Sequence, residues 1–540
     1  MISSSTRCGW RQSDCSLQWT ATSECSSLVT DLVRTACSVL LLFALIAAVR
    51  SPNFDLAPVN RYVAATTILA VGFVAIGFFT IPIRKWFLTR FTDAGVAILR
   101  HIRMITVGGA LVALTIQALI VAFLSKEVGF DVTTAYQYSL GNMDSVIDYL
   151  SFYTNNQLYF FLMYGWTHLL QLVGVTNLWL GWNVLNLASI DTGVVLVALA
   201  ARSAFGIRVG YFTAWAGMAL LVASPRVLFT YTDTLLLPLV GAFLLLLCHT
   251  RRPLLGIVLG VAAALMYLMK PSAAIYVIAA IVLLVAWMVI AIRRKTSVFT
   301  LRGALRVTVV VVGFMATLGA FTAFRNTQDI YRIDETKRCP ETLYFMMGMQ
   351  GNGGYNWNDV AATYNLPTIQ EKREYNLQVI RQRLGDFGFA GYVQFLSNKY
   401  IFNTHDGSFA WSPIEGVHSE DISPPMTKLK DLYYSNGRYA DMYRFWTQLV
   451  WVLVLLGSLW SFRRREIAVT FLRLAIVGGL VFLLISEAGR TRYLIQYLPL
   501  FMILSAIGLD EMAKKLVKGT RQERPTMLSV ESLISSSHRS

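Results

Sequence analysis

Apolar runs of about 20 residues recur along the whole chain, and they constrain its fold more than any other feature. Each run is long enough to cross the ~30 Å hydrocarbon core of a bilayer as an α-helix. Hydrophobic residues make up 55% of the 540 residues, whereas charged residues make up only 14%. The sequence therefore predicts an all-α polytopic protein of the cell membrane.

Thirteen runs have the length and composition of a membrane-spanning helix. They fall near residues 29–49, 62–83, 104–124, 157–175, 178–201, 208–225, 228–248, 254–270, 272–292, 304–324, 445–461, 467–486 and 491–509. The number that cross depends on the charges between them, because excess Lys and Arg in short loops mark the cytoplasmic side.

These basic segments argue against thirteen crossings. If every run crossed, with the basic loop 84–103 inside, the clusters at 251–253, 293–295 and 463–465 would all lie outside. All three clusters lie on the cytoplasmic side if run 157–175 lies along the outer surface of the membrane instead of crossing it. We therefore predict about 12 transmembrane helices with both termini in the cytoplasm.

Run 157–175, QLYFFLMYGWTHLLQLVGV, has the composition of an outer juxtamembrane helix. It is rich in Tyr and Trp, which favour the membrane–water interface, and it contains His168. The alternative is that this run is a short true span.

The formal net charge of +16 follows the membrane topology and does not indicate a nucleic-acid partner. Basic residues cluster in short loops, whereas the long segment 325–442 carries 12 Lys and Arg against 14 Asp and Glu. The six cysteines are scattered, without the paired spacing of a disulfide framework or a metal site. We therefore predict a membrane-lipid environment and no nucleic acid.

These features divide the chain into six parts. Residues 1–28 are polar and lack the apolar core of a signal peptide, so we interpret them as a disordered cytoplasmic leader or a misassigned start. The other parts are an accessory transmembrane hairpin with a basic cytoplasmic loop (29–103), a transmembrane core (104–324) with a first outer loop (125–177), a large extracytoplasmic loop (325–442), C-terminal transmembrane helices (443–509) and a basic cytoplasmic tail (510–540).

The large loop 325–442 has predicted structure of its own. PTIQEKREYNLQVIRQRLG at 367–385 predicts one amphipathic helix, with Thr368 as its N-cap and Gly385 at its end. GNGGYN at 351–356 predicts a turn. A loop of this length is usually functional. If this loop recognises a substrate that accepts a transferred group, its candidate contacts with that acceptor are Trp357, His405, Asp406 and Trp411.

Isolated charged residues collect on the predicted outer side of the membrane. They are Asp131 after the third span, Asp233 at the start of a span, Lys270 between two spans, and Glu487, Arg490 and Arg492 in one outer turn. Each could have only a local role, since Lys270 could snorkel to the interface and Glu487 could pair with Arg490.

The cations of this set also predict a site for a lipid phosphate. Helices that run inward from the outer face present their N-termini there, where unpaired N–H groups favour an anion. Lys270, Arg490 and Arg492 lie beside such N-termini. Arg holds phosphate oxygens bidentately and Lys supplies a point charge, so a leaving phosphate would be stabilised there.

Asp131 is the predicted general base toward an acceptor hydroxyl. It directly follows a span, so it should be held more firmly than carboxylates farther into the loop. Glu487 is predicted to orient an arginine instead of acting as the base.

The order of these features resembles the GT-C glycosyltransferases that use polyprenyl-phosphate sugars, and among them the protein O-mannosyltransferase-like integral membrane proteins of bacteria. The resemblance covers roughly 125–505. The matching stretches are FDVTTAYQYSLG with Asp131, DYLSFYTNNQLYFF with Asn155 and Asn156, LMKPSA with Lys270, MGMQGNGGYNWND, NKYIFNTHDGSFAW, and SEAGRTRYLIQYLP with Glu487 and Tyr493.

This resemblance implies a GT-C-like fold with an extracytoplasmic active site. It implies an inverting transfer of a mannose-like hexose or a pentose from a polyprenyl-phosphate donor to an extracytoplasmic glycan, lipid or protein. Supporting residues near the site would be Glu487, Asp233, Tyr493, Asn155 and Asn156. No second acid adjoins Asp131, whose neighbours are Phe130 and Val132, so we expect no metal and no other cofactor.

Two other functions stay open on the sequence alone. A transporter or flippase would also suit twelve spans, with Asn183, Asn186 and Asp191 lining a polar path, although helix–helix hydrogen bonding is the simpler role for these residues. A ligase that uses a diphosphate-linked glycan would also need arginines on the outer face.

Overall fold

A computed structural model describes residues 25–54, 95–142, 148–249, 252–293, 301–411, 427–434 and 437–515. Over these ranges the chain is helical and contains no strand, as the apolar runs predict. The helices are α1 (Cys25–Val49), α2 (Ile102–Leu124), α3 (Asp131–Ser139), α4 (Tyr149–Phe152), α5 (Gln157–Leu172), α6 (Leu178–Phe205), α7 (Ile207–Gly217), α8 (Thr232–Leu235), α9 (Leu237–Leu247), α10 (Pro253–Met269), α11 (Ala274–Arg293), α12 (Leu301–Thr327), α13 (Thr342–Met347), α14 (Trp357–Tyr364), α15 (Ile369–Thr404), α16 (Thr427–Tyr433), α17 (Ala440–Trp460), α18 (Ile467–Ile485) and α19 (Thr491–Lys515).

Eight helices in the described ranges are long and apolar enough to cross a membrane, namely α1, α2, α6, α11, α12, α17, α18 and α19. Three shorter apolar segments lie between them in the chain: Ile207–Val222, Thr232–Leu247 and Leu254–Met269. The chain is therefore a multi-pass membrane protein. The predicted span near 62–83 lies outside the described residues, and the count of twelve stays a prediction.

The aromatic run at 157–175 forms α5, which is not among the candidate spans. Trp166 Nε1 donates to the Gly181 carbonyl oxygen at 3.0 Å, and Trp182 Nε1 donates to Thr167 Oγ1 at 2.9 Å. These indole hydrogen bonds hold α5 against the first turns of α6. Its position along the membrane surface stays a prediction.

The first helix of the predicted accessory hairpin, α1, packs against other candidate spans. α1 packs against α17 and α18. Gln448 Nε2, on α17, donates to the Ala48 carbonyl oxygen at 2.7 Å, and Arg465 lies 3.8 Å from Asp31 near the other end of α1. The N-terminal helix thus supports the C-terminal spans along its length.

The large loop contains the predicted amphipathic helix, but α15 is longer than predicted. Thr368 caps it by accepting a hydrogen bond from the Glu371 backbone N–H at 3.2 Å. The prediction that Gly385 ends the helix is wrong, because the left-handed backbone conformation falls at Gly388 (φ 57°) and α15 continues beyond this kink to Thr404. The turn predicted at 351–356 is confirmed by positive φ values at two of its glycines.

α10, which leads to Lys270, packs tightly on α12 through glycine. A Cβ atom added at Gly260 would collide with the Val310 carbonyl oxygen, and one at Gly313 would collide with the Ile257 carbonyl oxygen. Small residues let membrane helices approach this closely. The contact fixes the helix that presents Lys270.

Candidate functional site

A buried carboxylate joins cations from three distant parts of the chain. Asp233, in the first turn of α8, is 3% exposed. Lys270 Nζ forms an ion pair with it, and Arg492 Nε lies 3.4 Å from its Oδ2. Arg226, which is 2% exposed, also interacts favourably with this carboxylate. We refer to Arg226, Asp233, Lys270 and Arg492 as the charged cluster.

Arg492 retains N–H groups that could bind an anion. A guanidinium has five N–H donors. The Nε N–H is buried and faces Asp233 Oδ2, whereas the Nη groups make no hydrogen bond within the described ranges. The rings of Phe229, Tyr231 and Tyr493 surround the guanidinium, with centroids 5.3–5.8 Å from Cζ. These cation–π contacts hold its plane in place, so its remaining donors have a fixed direction.

Asp131 is the first residue of α3 and follows a strained residue. Phe130 has φ 67° and ψ −151°, a region that is normally occupied by glycine and that clusters at functional sites. The Asp131 carboxylate accepts a hydrogen bond from Tyr149 Oη at 2.7 Å and one from Tyr231 Oη at 2.8 Å, on different oxygens. The side chain is partly exposed. Its orientation is therefore fixed while lone pairs stay accessible.

Tyr231 connects Asp131 to the charged cluster. Its hydroxyl donates to Asp131, and its ring centroid lies 5.7 Å from Arg492 Cζ. The candidate base and the candidate phosphate ligand are therefore neighbours across one tyrosine, although more than 350 residues separate them in sequence.

Two asparagines orient the other tyrosine at Asp131. Asn156 Nδ2 donates to Tyr149 Oη at 2.6 Å, Asn155 Nδ2 donates to Asn156 Oδ1 at 3.2 Å, and Tyr344 Oη donates to Asn155 Oδ1 at 2.8 Å. An amide nitrogen can only donate, so Tyr149 must direct its own proton to Asp131. Burial raises the pKa of Tyr149, which keeps it a donor. The predicted supporting asparagines thus act on Asp131 through Tyr149.

Glu487 accepts a hydrogen bond from a tyrosine, whereas the sequence predicted that it would orient an arginine. Tyr493 Oη donates to Glu487 Oε1 at 2.6 Å, and burial raises the pKa of this carboxyl. The Tyr493 ring lies against two cations of the cluster, with its centroid 5.5 Å from Lys270 Nζ and 5.3 Å from Arg492 Cζ. Any effect of Glu487 on the arginine therefore passes through Tyr493.

The segment that carries Glu487 is held by a buried lysine from α15. Lys399 is 1% exposed, and its Nζ donates to the carbonyl oxygens of Gly348 at 2.7 Å and Ser486 at 2.6 Å. The Ala488 backbone N–H also donates to the Gly353 carbonyl oxygen at 2.7 Å. We refer to Lys399 with segments 348–353 and 486–489 as the clasp. It joins the large loop to the turn that precedes Arg492.

Arg490 does not lie in the charged cluster. Its side chain is exposed at the N-cap of the 3-10 helix Thr491–Tyr497, whereas the Arg492 side chain is 15% exposed and turned toward Asp233. Of the three cations predicted to bind phosphate, the structure brings together Lys270 and Arg492.

Two of the predicted acceptor contacts have structural roles. Asp406 is 8% exposed and accepts hydrogen bonds from the backbone N–H groups of Ser408 at 2.8 Å and Ala410 at 2.7 Å. Trp411 is 4% exposed and donates from Nε1 to the Tyr433 carbonyl oxygen. The polar atoms of both residues thus have partners inside the fold, and contact with an acceptor stays a prediction.

The other two predicted acceptor contacts remain accessible. Trp357, the first residue of α14, is 45% exposed. His405, at the end of α15, is partly exposed, and its Nδ1 lies 2.9 Å from the Ile401 carbonyl oxygen. Neither residue forms a hydrogen bond or an ion pair with the charged cluster, and their contact with an acceptor stays a prediction.

Sequence reasoning missed three members of the site: Arg226, Tyr149 and Tyr231. Arg226 lies within an apolar stretch close to Asp233 in sequence, so an isolated arginine there was the available signal. The tyrosines gave no comparable signal, because tyrosine is common at membrane interfaces.

Two of the three polar residues considered for a transport path hold segments of the bundle together. Asn183 Nδ2 donates to Ser125 Oγ at 2.6 Å, and Asn186 Nδ2 donates to the Val227 carbonyl oxygen at 2.8 Å. Asp191 lines a mainly apolar cavity of about 290 Å³ between α2, α6 and α7. The two asparagines thus have the helix–helix role that the sequence favoured.

In the described ranges, no group of three or more His, Cys, Asp and Glu side chains lies close enough together to hold a metal ion. Metal independence of the site stays a prediction.

Comparison with known proteins identifies the family but not an activity. A family model described as "Conserved hypothetical integral membrane protein" matches residues 25–513, so the chain belongs to this family. No curated protein and no solved structure matches the chain.

Proposed function

We propose that this integral membrane protein is a glycosyltransferase that moves a sugar from a polyprenyl-phosphate donor to an acceptor hydroxyl outside the cytoplasm. The observation that carries the proposal is the adjacency of Asp131, oriented by two tyrosine hydroxyls, to Arg492 and Lys270, which meet at Asp233. A candidate base and candidate phosphate ligands thus share one site.

The charges of the cluster suit a phosphate whose negative charge increases during reaction. The cluster contains three cations, Arg226, Lys270 and Arg492, and one carboxylate, Asp233, which pairs with Lys270 and Arg492. A phosphodiester carries one negative charge, and the phosphomonoester that leaves carries up to two. Preorganised cations that stabilise this developing charge lower the barrier.

The proposed reaction is a single displacement with inversion. The acceptor oxygen attacks the anomeric carbon, and its proton passes to the Asp131 carboxylate. The bond between the anomeric carbon and the phosphate oxygen breaks, and its electron pair leaves with the polyprenyl phosphate. Arg492 and Lys270 would bind that phosphate, while Tyr149 and Tyr231 would hold the base in position.

The distribution of charge supports an active site on the extracytoplasmic side. Arg208 pairs with Asp510 at 2.8 Å, and Arg464 pairs with Glu511 at 3.0 Å, at the end of the bundle opposite to Asp131. Among the described residues, Arg103, Arg252, Arg293 and Arg463 adjoin the helix ends on that opposite side, which is the cytoplasmic side under the positive-inside rule.

Transfer should be measured with purified protein in proteoliposomes, supplied with radiolabelled polyprenyl-phosphate mannose or arabinose. Octyl mannoside and a Ser/Thr-containing peptide serve as acceptor probes. We expect labelled product from the wild type and its loss in Asp131→Asn, with equal yield and melting temperature. Asp386→Asn, an exposed carboxylate on α15, is the matched control and should transfer normally.

The same preparation separates the alternatives. Transfer only from a diphosphate-linked glycan would replace the proposal with the ligase. Solute uptake into the liposomes without transfer from any donor would replace it with the transporter. Transfer that persists in Asp131→Asn would refute the assignment of the base, and a loss of transfer in EDTA that Mg²⁺ or Mn²⁺ restores would refute the expected metal independence.

A further inference from the structure

The kink in α15 separates two helical parts of opposite character. Residues 369–387 carry seven charged side chains, whereas residues 389–404, FAGYVQFLSNKYIFNT, carry only Lys399, which is buried in the clasp. Gly388 makes the bend between them with φ 57° and ψ −179°. The outward surface of the second part therefore bears no charge.

The second part of α15 is attached to membrane spans. Tyr400 Oη donates to the Leu40 carbonyl oxygen at 2.6 Å, and Asn403 Nδ2 donates to the Leu483 carbonyl oxygen at 3.1 Å. Leu40 lies nine residues before the end of α1, which is about 13 Å along a helix axis at 1.5 Å per residue. The second part of α15 therefore lies at the depth of the membrane spans. Any surface at that depth that protein does not cover contacts lipid.

Large apolar side chains follow the outward face of this part at helical spacing. Phe389 is 89% exposed, Val393 48%, Ile401 46% and Phe402 44%. Residues four apart lie on one side of a helix, so Phe389, Val393 and Ile401 form one stripe. An exposed apolar stripe on a helix that is attached to membrane spans can lie in the boundary between lipid head groups and acyl chains.

We infer that residues 389–404 form an interfacial helix whose outward stripe is immersed in the lipid leaflet on the side of the charged cluster. The occupant of this surface is the acyl region of the membrane, because the helix is bound to α1 and α18 at membrane level, and both spans also expose large apolar side chains such as Phe43 and Val481. The inference does not depend on glycosyl transfer.

Contact between residues 389–404 and lipid would also fix the depth of the proposed site relative to the membrane surface. Lys399 and Asn403 on the inward face hold segment 486–489, since Asn403 Oδ1 accepts from the Gly489 backbone N–H at 2.8 Å. A helix fixed at the interface on one face and joined to this segment on the other keeps Arg492 near the lipid surface. A lipid-linked phosphate would be found at that depth.

Site-directed spin labelling tests the inference. The full chain, with its six cysteines replaced by alanine, receives a single nitroxide at Phe389→Cys, Val393→Cys or the exposed control Glu374→Cys. Each variant is reconstituted in phosphatidylcholine–phosphatidylglycerol vesicles, and its collision rates with oxygen and with a water-soluble nickel chelate are measured. We expect oxygen to exceed nickel at Phe389 and Val393, and the reverse at Glu374.

Each other outcome would overturn the inference. Nickel collision at Phe389 equal to that at Glu374 would mean that the stripe faces water. Low collision with both reagents would mean that protein covers it, and spin–spin broadening that disappears on dilution with unlabelled protein would identify a second copy as that cover. Phe389 is too exposed to support the core, so its substitution should not unfold the chain, and Val393→Cys gives an independent reading.

Discussion

Replacing Lys399 by methionine should change the pH dependence of stability. Lys399 is an almost fully buried cation whose two hydrogen-bond partners in the clasp are backbone carbonyls and not a carboxylate. Burial lowers the pKa of Lys399 from 10.5 to about 8, although the nearby Glu487 opposes that shift. Methionine is unbranched and one atom shorter than lysine, so it keeps most of the side-chain volume and removes the charge and both hydrogen bonds.

The expected magnitude follows from the lowered pKa. Each pKa unit corresponds to about 1.4 kcal/mol, so the charged lysine costs the folded state about 3 kcal/mol near pH 7 relative to high pH. Between pH 8 and 10.5 the unfolded chain binds more protons than the folded chain. The stability of the wild type therefore rises with pH across this window, whereas Lys399→Met lacks this contribution.

Melting temperatures in detergent from pH 7 to 10, followed by tryptophan fluorescence, would measure this effect. The melting temperature of the wild type should rise relative to that of Lys399→Met as pH increases. This difference isolates Lys399, because all other titrating groups are common to both proteins. Lys428→Met removes an exposed lysine and should differ from the wild type by a constant amount. A constant difference for Lys399→Met as well would refute the argument that a buried, uncompensated ammonium joins the clasp.

Three further substitutions test the site itself. Tyr149→Phe should lower kcat of transfer about tenfold with little change in donor KM, because one hydrogen bond to a charged group is lost and Asp131 is less firmly oriented; an unchanged kcat would remove this role. Arg492→Lys should raise the donor KM about tenfold, since lysine cannot bind phosphate bidentately, and Arg490→Lys should not; equal effects in steady-state kinetics would contradict the cluster geometry. Asp233→Asn should cost about 3–5 kcal/mol by leaving buried cations unpaired, seen as a lower melting temperature that Lys270→Met in the same chain partly restores; no loss would show that Asp233 does not compensate them.

Much of the architecture could be predicted from sequence because membrane constraints are simple. Apolar runs predict helices by length alone, and their alternating direction places every second loop on one side. This reasoning brought Asp131, Asp233 and Lys270 to the same end of the bundle, where the structure has them in one network. The positions of these residues at span ends carried the information.

What could not be predicted is which polar loop residues are buried. Asp406 holds a turn in which Phe409 and Ala410 have positive φ values of 54° and 58°. Such backbone is rare for residues other than glycine, so no local pattern indicates the turn or the carboxylate that stabilises it. The same limit applies to Lys399, whose carbonyl partners lie 51 and 87 residues away.

The different positions of Arg490 and Arg492 follow from the backbone and from charge compensation. Thr491–Tyr497 is a 3-10 helix, in which successive side chains turn by about 120°, and Arg490 precedes it with an extended backbone at φ −151°. The two arginines therefore cannot face the same way, and the pattern R-x-R alone does not show which one points inward. Burial is possible for Arg492 because Asp233 lies beside it, but Lys270 already pairs with that carboxylate, and Arg226 adds a third cation to the cluster. If Arg490 were also buried there, it would add another unpaired positive charge at high cost. On the proposed function, the donor phosphate supplies the negative charge that balances the cations already in the cluster.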